Sequence, residues 1–245
     1  MDEFVSQEKE TATRKGYLYE SRTEYDIDGK KRFDMKLGGA ATLIVTGTDR
    51  EKVVVRLMSN ELSTLEADFK MKIDDIKGRI DIDVSRKNKM TEAMAKEHLI
   101  IEVLLPVQYI SHAELEVNCD ELKMSSVVCD HVEFHGKANT VLLESVKTTL
   151  EIDCNVDMFL QVADFAGSLE INQLSSTSKL VVPEDFSFRS IVKGIATSVS
   201  YESDGESAED FSDATAETVV EFNGMKSELV ICRGKQIQSK YLSIG

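Results

Sequence analysis

The chain has 245 residues, which is long enough to bury a full core, and 42% of them are hydrophobic, which excludes global disorder. Its formal charge of −15, from 44 acidic and 29 basic residues, argues against nucleic-acid binding, because an acidic surface repels phosphate backbones. Its apolar runs fall short of the roughly 20 residues that cross a bilayer, so we expect no transmembrane segment in this chain.

Residues 1–36 are predicted to be a polar leader followed by a capping hairpin. Residues 1–16 are polar, mixed in charge and without a signal-peptide core. Next, Asp28-Gly29 offers a hairpin turn between Tyr25 and Phe33. We expect this hairpin to close one end of a sheet that otherwise exposes unpaired strand edges.

Residues 37–245 are predicted to form a single all-β domain without a linker. Strands are predicted at 41–45, 53–58, 69–73, 80–84 and 99–105 from their apolar runs and flanking glycines or Pro106. Residues 87–98 break this pattern and favour a short helical turn or a loop.

The middle of the chain contains one short phrase four times: an apolar residue, Glu, a second apolar residue and a polar residue. The copies are Leu115-Glu116-Val117-Asn118, Val132-Glu133-Phe134-His135, Leu150-Glu151-Ile152-Asp153 and Leu169-Glu170-Ile171-Asn172. They start 132 − 115 = 17, 150 − 132 = 18 and 169 − 150 = 19 residues apart. Period-two alternation indicates half-buried strands, and repetition at this length indicates stacked coils. The prediction is a single-stranded β-helix, or β-solenoid, in which Leu115, Val132, Leu150 and Leu169 lie directly over one another.

Residues 202–217 differ from the rest because they hold seven acidic and no basic side chains. This composition predicts a flexible, solvated loop inserted in the domain. The acidic residues do not follow the spacing of an EF-hand, so weak binding of calcium or of a basic partner is the second interpretation.

The order of these features resembles the bacterial adhesin-like family of β-strand-repeat proteins (the DUF4097 type, akin to head-GIN adhesin-like domains). The resemblance depends on Leu43-Ile44-Val45-Thr46-Gly47, on Ile100-Ile101-Glu102-Val103-Leu104-Leu105-Pro106, on the coils from Leu115 onward and on the ending around Gly224 and Gly234. It covers roughly residues 36–245. It implies a right-handed solenoid that is often part of envelope or cell-surface proteins, and it supplies no catalytic residues.

The first candidate site is an acidic ladder of Glu116, Glu133, Glu151 and Glu170, which hold the same position in successive coils. Stacked carboxylates repel one another, and a bound cation such as Ca²⁺ would relieve the repulsion. The simpler interpretation is that they extend into water and pair with Lys123, Lys137 or Lys147.

The second candidate is a ladder of turn residues, Asn118, His135, Asp153 and Asn172. His135 beside Asp153 would resemble a metal or acid–base pair, but polar residues stacked at turns also bond one another along a solenoid. A structural turn ladder is therefore the preferred interpretation. His98, His112 and His131 form no HExxH-like set, so no metal ligands, cofactor or catalytic residues are predicted.

These observations predict a non-enzymatic binding or scaffold module that is adhesin-like and acts on a protein or surface partner. A cytoplasmic regulatory partner in envelope-stress signalling and a calcium-binding acidic face are the alternatives. For this soluble chain, the predicted compartment is the cell envelope if an export signal was removed and the cytoplasm otherwise.

Overall fold

The computed structural model describes residues 16–234, and in this range the protein is all-β. It has seventeen strands, two short helices and a 3-10 turn at Val107–Tyr109. The first strands are β1 (Tyr19–Asp26), β2 (Lys31–Thr48), β3 (Lys52–Ser59), β4 (Phe69–Ile76), β5 (Arg79–Arg86), β6 (Ile100–Pro106), β7 (Ile110–Ser125), β8 (Val128–Glu144) and β9 (Val146–Cys154). They are followed by β10 (Phe159–Val162), β11 (Phe165–Leu174), β12 (Thr177–Val182), β13 (Arg189–Ile195), β14 (Ser198–Ser203), β15 (Glu206–Ala208), β16 (Val219–Met225) and β17 (Glu228–Arg233). The helices are α1 (Leu65–Asp68) and α2 (Glu92–His98).

The strands are arranged in two series, which we call the front and the back series. The front series runs in the order β4, β5, the first part of β2, of β7 and of β8, then β9, β11, β16 and β13. The back series runs β1, β3, β6, the second part of β2, of β7 and of β8, then β10, β12, β17, β14 and β15. The inner ladders are parallel, and the antiparallel ones lie toward the ends of the two series. The three long strands β2, β7 and β8 take part in both.

The core lies between the two series, because over most of their length the strands alternate buried and outward-facing side chains, although β13 and β14 at one end bury none. In β9, for example, Val146, Thr148, Leu150, Ile152 and Cys154 are buried and the residues between them are not. Inward-facing side chains of both series join in one buried hydrophobic cluster. The remaining positions therefore form two outward-facing surfaces, and we call the one on the front series the front face.

The spatial order of the strands departs from the chain order near the C-terminal end. Strand β16 pairs with β11 on one side and with β13 on the other, and β17 lies between β12 and β14 in the same way. Strands β13 and β14 thus come earlier in the chain than β16 and β17, although β16 and β17 lie between them and the preceding strands. Residues 204–218, between β14 and β16, make this return.

The predicted register is wrong by two residues in the first repeat. Ala113, not Leu115, pairs with Val132, and the row continues through Leu150 and Leu169. Leu115 instead pairs with Phe134. The error arises because Ala113-Glu114 fits the repeated phrase as well as Leu115-Glu116 does. A shift of two residues also leaves every side chain on its predicted face.

The predictions for the N-terminal third are confirmed in part. The strands predicted at 41–45, 53–58, 69–73, 80–84 and 99–105 lie within or overlap β2 to β6, and the helical turn is α2. The predicted hairpin around Asp28-Gly29 is wrong, because β1 pairs antiparallel with β3, where Tyr25 faces Val53. Residues 31–36 belong to β2, so the predicted boundary at 36/37 falls inside a strand. The leader at 1–15 lies outside the described residues.

Candidate functional site

A row of seven carboxylates crosses the front face, one from each of seven neighbouring strands. In spatial order they are Asp81, Asp34, Glu114, Glu133, Glu151, Glu170 and Glu221, and each pairs in register with the next. Each is partly exposed, and the residues on either side of each are buried, so the carboxylates point outward. Neighbouring strands lie about 4.8 Å apart, so this central row concentrates negative charge along one line.

The structure brings three of the four residues of the predicted acidic ladder together. Glu133, Glu151 and Glu170 are neighbours in the central row, but the position given to Glu116 is held by Glu114. Glu116 lies in the adjacent row, where its carboxylate is 3.7 Å from the Lys36 ammonium. This correction follows directly from the two-residue change of register.

The cations beside the central row are not the lysines that the sequence indicated. At one end, Arg79 contacts Asp34 at 3.1 Å and Asp81 at 2.6 Å. At the other end, Lys193 contacts Glu221 at 2.7 Å. Lys123, one of the predicted partners, forms an ion pair with Glu121 at 3.0 Å instead. The middle of the row faces histidines and amides.

Three of the four residues of the predicted turn ladder form a hydrogen-bonded row, and the fourth, Asn118, does not belong to it. His135, Asp153 and Asn172 are register neighbours, and Asn223 extends them. His135 Nδ1 lies 2.9 Å from Asp153 Oδ2, and Asn172 Nδ2 donates to Asp153 Oδ1 at 2.6 Å. Asn223 Nδ2 donates to Asn172 Oδ1 at 3.0 Å. Asn118 lies outside this row, because it pairs with Lys137.

Three histidines surround one member of the central row, Glu133. The imidazoles of His112 and His131 stack with their centroids 4.8 Å apart. Their Nε2 atoms lie 3.2 and 3.1 Å from the same oxygen, Glu133 Oε1. His135 Nε2 lies 3.3 Å from the other oxygen, Oε2.

This cluster is not visible as a sequence motif, because its ligands are not spaced along one element. Here His112 comes from β7, while His131, Glu133 and His135 come from β8. A usable signal existed, since 131 − 112 = 19 residues matches the spacing between copies of the repeated phrase. Residues one repeat apart stack in a parallel ladder, and this rule would have placed the two imidazoles side by side.

The titration of the central row differs along its length. Burial acts to raise the pKa of Glu133, but the hydrogen bond with His135 and the neighbouring histidine charges outweigh it, so this pKa is lowered. The pKa of Glu170 is raised, because burial disfavours its charge and Glu221 and Glu151 repel it.

The histidines also differ from one another. Burial and the charge of Arg32 lower the pKa of His112. For His135, burial acts in the same direction, but the carboxylates of Glu133 and Asp153 outweigh it and raise the pKa. His135 therefore binds a proton more readily than His112 does, although both imidazoles lie beside the same carboxylate.

The acidic segment 202–217 is not the detached loop that its composition predicted. Strand β15 pairs back on β14, and Phe211 packs edge-on against Tyr201 and Phe188. The Arg233 guanidinium lies over the Phe211 ring at 4.2 Å from its centroid. One aromatic side chain thus fixes the segment against the end of the core, while most of its carboxylates remain at the surface.

Open depressions, rather than an enclosed cavity, border the central row. One of about 850 Å³ is lined by residues that include Lys36, Arg86, Glu116 and His135. Another of about 630 Å³ includes Asp34, Asp81 and Arg79. Their charged linings suit contact with a polar surface better than capture of a small apolar molecule. No helix within residues 16–234 is both long and apolar enough to cross a membrane.

Comparison with known proteins gives structural neighbours only. No family model and no curated protein matches the chain. A putative cell adhesion protein from Clostridium sporogenes is 10% identical, with a TM-score of 0.44 over 88% of this chain and 100% of its own. A putative adhesin from Parabacteroides merdae is 8% identical, with a TM-score of 0.33 over 90% of this chain and 98% of its own. A putative lipid binding protein from Parabacteroides distasonis is 11% identical, with a TM-score of 0.34 over 90% and 98%. Because these scores and identities are low, we infer the function of this chain from its own residues.

Proposed function

We propose that the chain is a non-enzymatic, adhesin-like binding or scaffold module whose front face binds a basic protein or surface partner. The observation that carries this proposal is the central row of seven carboxylates in register across one outward-facing surface. Charges arranged in this way attract a partner of opposite charge and set its orientation. The net charge of −15 acts in the same direction.

We also propose that the two series are the two sides of a right-handed, single-stranded β-solenoid, and that the strands from β1 to β17 form one domain. The parallel ladders support this proposal, since each repeat contributes one strand to the front and one to the back. A solenoid suits a binding module because stacked coils present an extended, regular surface. In an adhesin-like protein this surface would face a partner at the cell envelope.

Binding of a basic partner to the front face can be tested with two variants that lose the same number of charges. In the front-row variant, Glu151, Glu170 and Glu221 are replaced by Gln. In the control variant, the exposed Glu184, Glu206 and Glu209 are replaced by Gln. Both lose three negative charges. The front-row changes also alter the acceptors of Asn172, Asn223 and Lys193, so a thermal melt first checks that both variants are folded.

The probe is an immobilised peptide rich in lysine and arginine, and the measurement is surface plasmon resonance at several salt concentrations. We expect the front-row variant to bind the peptide at least about tenfold more weakly than the control variant, because electrostatic complementarity depends on arrangement. Equal weakening of the two variants would mean that only net charge matters and would overturn the proposed face. Turnover of any substrate in a panel of glycans and esters by the purified protein would overturn the non-enzymatic assignment.

A further inference from the structure

The side chains of His112, His131 and Glu133 converge on one point of the front face. His131 and Glu133 are two residues apart in β8, so both point outward. His112 is the register partner of His131 on β7. The parallel ladder therefore fixes the three positions, and no loop is involved in holding them.

From this arrangement we infer that His112, His131 and Glu133 form a binding site for a divalent transition metal of the zinc type. The inference does not depend on the proposed function.

The distances fit such a site. Zinc binds imidazole nitrogen and carboxylate oxygen at about 2.0–2.2 Å in a tetrahedral arrangement, so its ligand atoms lie about 3.3 Å from one another. The two imidazole nitrogens lie 3.2 and 3.1 Å from Glu133 Oε1. The three ligand atoms are all within 4.8 Å of one another. The two nitrogen–oxygen separations therefore match the spacing that a tetrahedral ion requires.

A second observation is that one ring nitrogen of His112 is buried without a hydrogen-bond partner among the described residues. His112 Nε2 is buried, and within the described residues 16–234 nothing forms a hydrogen bond with it. It lies 3.2 Å from Glu133 Oε1, but without the geometry of a hydrogen bond. Buried polar atoms are normally satisfied, and a metal ion in front of the carboxylate would satisfy this one.

The surroundings of Glu133 also suit a metal ligand. The oxygen that faces away from the stacked imidazoles, Oε2, contacts His135, and Asp153 holds His135 from its other side. Hydrogen bonds of this kind orient the carboxylates that bind metals, and here they leave Oε1 for the ion.

The ligand set selects the class of metal. Imidazole nitrogen suits Zn²⁺ and its neighbours in the first transition series, whereas Ca²⁺ and Mg²⁺ prefer ligand sets made only of oxygen. Three protein ligands leave the fourth position of a tetrahedral ion to solvent, which is accessible at this face. The site therefore differs in both residues and metal from a calcium-binding acidic ladder.

The test is isothermal titration calorimetry of ZnCl₂ into the full chain after treatment with EDTA and dialysis. We expect one saturable site per chain, weakened at least about tenfold by His112→Asn, by His131→Asn and by Glu133→Gln. His98→Asn and Glu184→Gln are the controls, because His98 lies on α2 beside Glu97 and Glu184 is exposed outside the central row. Neither control should change the affinity.

A second measurement does not require the variants to fold. In ¹H–¹³C correlation spectra of the wild-type chain, Zn²⁺ should shift the imidazole signals of His112 and His131 and leave those of His98 in place. A lack of saturable binding, an equal effect of the controls, or shifts confined to other histidines would overturn the site. Competition by Ca²⁺ at a concentration equal to that of Zn²⁺ would overturn the assigned metal class.

Discussion

The central row can be compared in two parts: a histidine part around Glu133 on β8 and an amide part around Glu170 on β11. Both residues are glutamates that point outward between buried neighbours. The pKa of Glu133 is nevertheless lowered, whereas that of Glu170 is raised. The flanking rows supply imidazoles to Glu133 but only the uncharged Ser168 and Asn172 beside Glu170 on its own strand. Burial and repulsion by Glu221 and Glu151, its neighbours within the central row, therefore decide the pKa of Glu170.

The repeat thus defines a scaffold, and the flanking positions define its chemistry. One part of the row is arranged to share a cation among several ligands. The other part is a network in which Asn172 and Asn223 donate hydrogen bonds to the carboxylates. A single repeated phrase thus carries two kinds of surface.

The largest losses of stability are expected from substitutions in the core beneath the central row, and they should be similar in the two parts. Phe134 lies beneath the histidine part and Ile171 beneath the amide part, and both are fully buried. We expect Phe134→Ala to lower the free energy of unfolding by about 3–5 kcal/mol and Ile171→Ala by about 2–5 kcal/mol. Chemical denaturation followed by circular dichroism measures both losses. If either variant unfolds in two separate transitions, the two parts do not share one core.

An intermediate effect is expected from the amide network. Asn172 donates to Glu151 at 2.8 Å and to Asp153 at 2.6 Å, and it accepts from Asn223. Asn172→Leu leaves these groups without that partner and should cost roughly 1–2 kcal/mol of stability. Ser200→Ala, which removes a long hydrogen bond to Glu228 at an exposed position, is the control and should cost less than about 0.5 kcal/mol. Equal losses in the two variants would contradict the role of the network.

The smallest effects are expected to have opposite signs in the two parts. The raised pKa of Glu170 means that folding disfavours its charge. Glu170→Gln should therefore stabilise the metal-free chain by about 0.5 kcal/mol at pH 7. The gain should fall toward zero as the pH is lowered below the unfolded value of 4.5, where both states are protonated.

Glu133→Gln should instead destabilise the metal-free chain by about 0.5 kcal/mol at mildly acidic pH, because the lowered pKa of Glu133 means that folding favours its charge and the histidines that favour it are themselves protonated there. This contribution exists above the unfolded value of 4.5 and is lost as the pH falls through the folded pKa. Thermal melts in EDTA across this pH range measure both variants. Effects of the same sign would remove the distinction between the two parts.

The fold and the candidate site were predictable to different extents. The strands, their inward and outward faces and the stacked carboxylates of Glu133, Glu151 and Glu170 follow from the period-two pattern. The presence of Glu114 rather than Glu116 in the central row does not follow from this pattern, because both registers bury the same faces of the strands. The packing of Phe211 was missed because the acidic composition around it dominated the interpretation of 202–217.

The sequence by itself determined which side of each strand is buried, because alternation is a local property that every strand carries within itself. Only the tertiary structure decided which residues of different strands meet. It placed β16 and β17 beneath β13 and β14, and it set His112 beside His131 in front of Glu133. The physical reason is that pairing between strands depends on long-range packing of the whole core, which a local pattern does not encode.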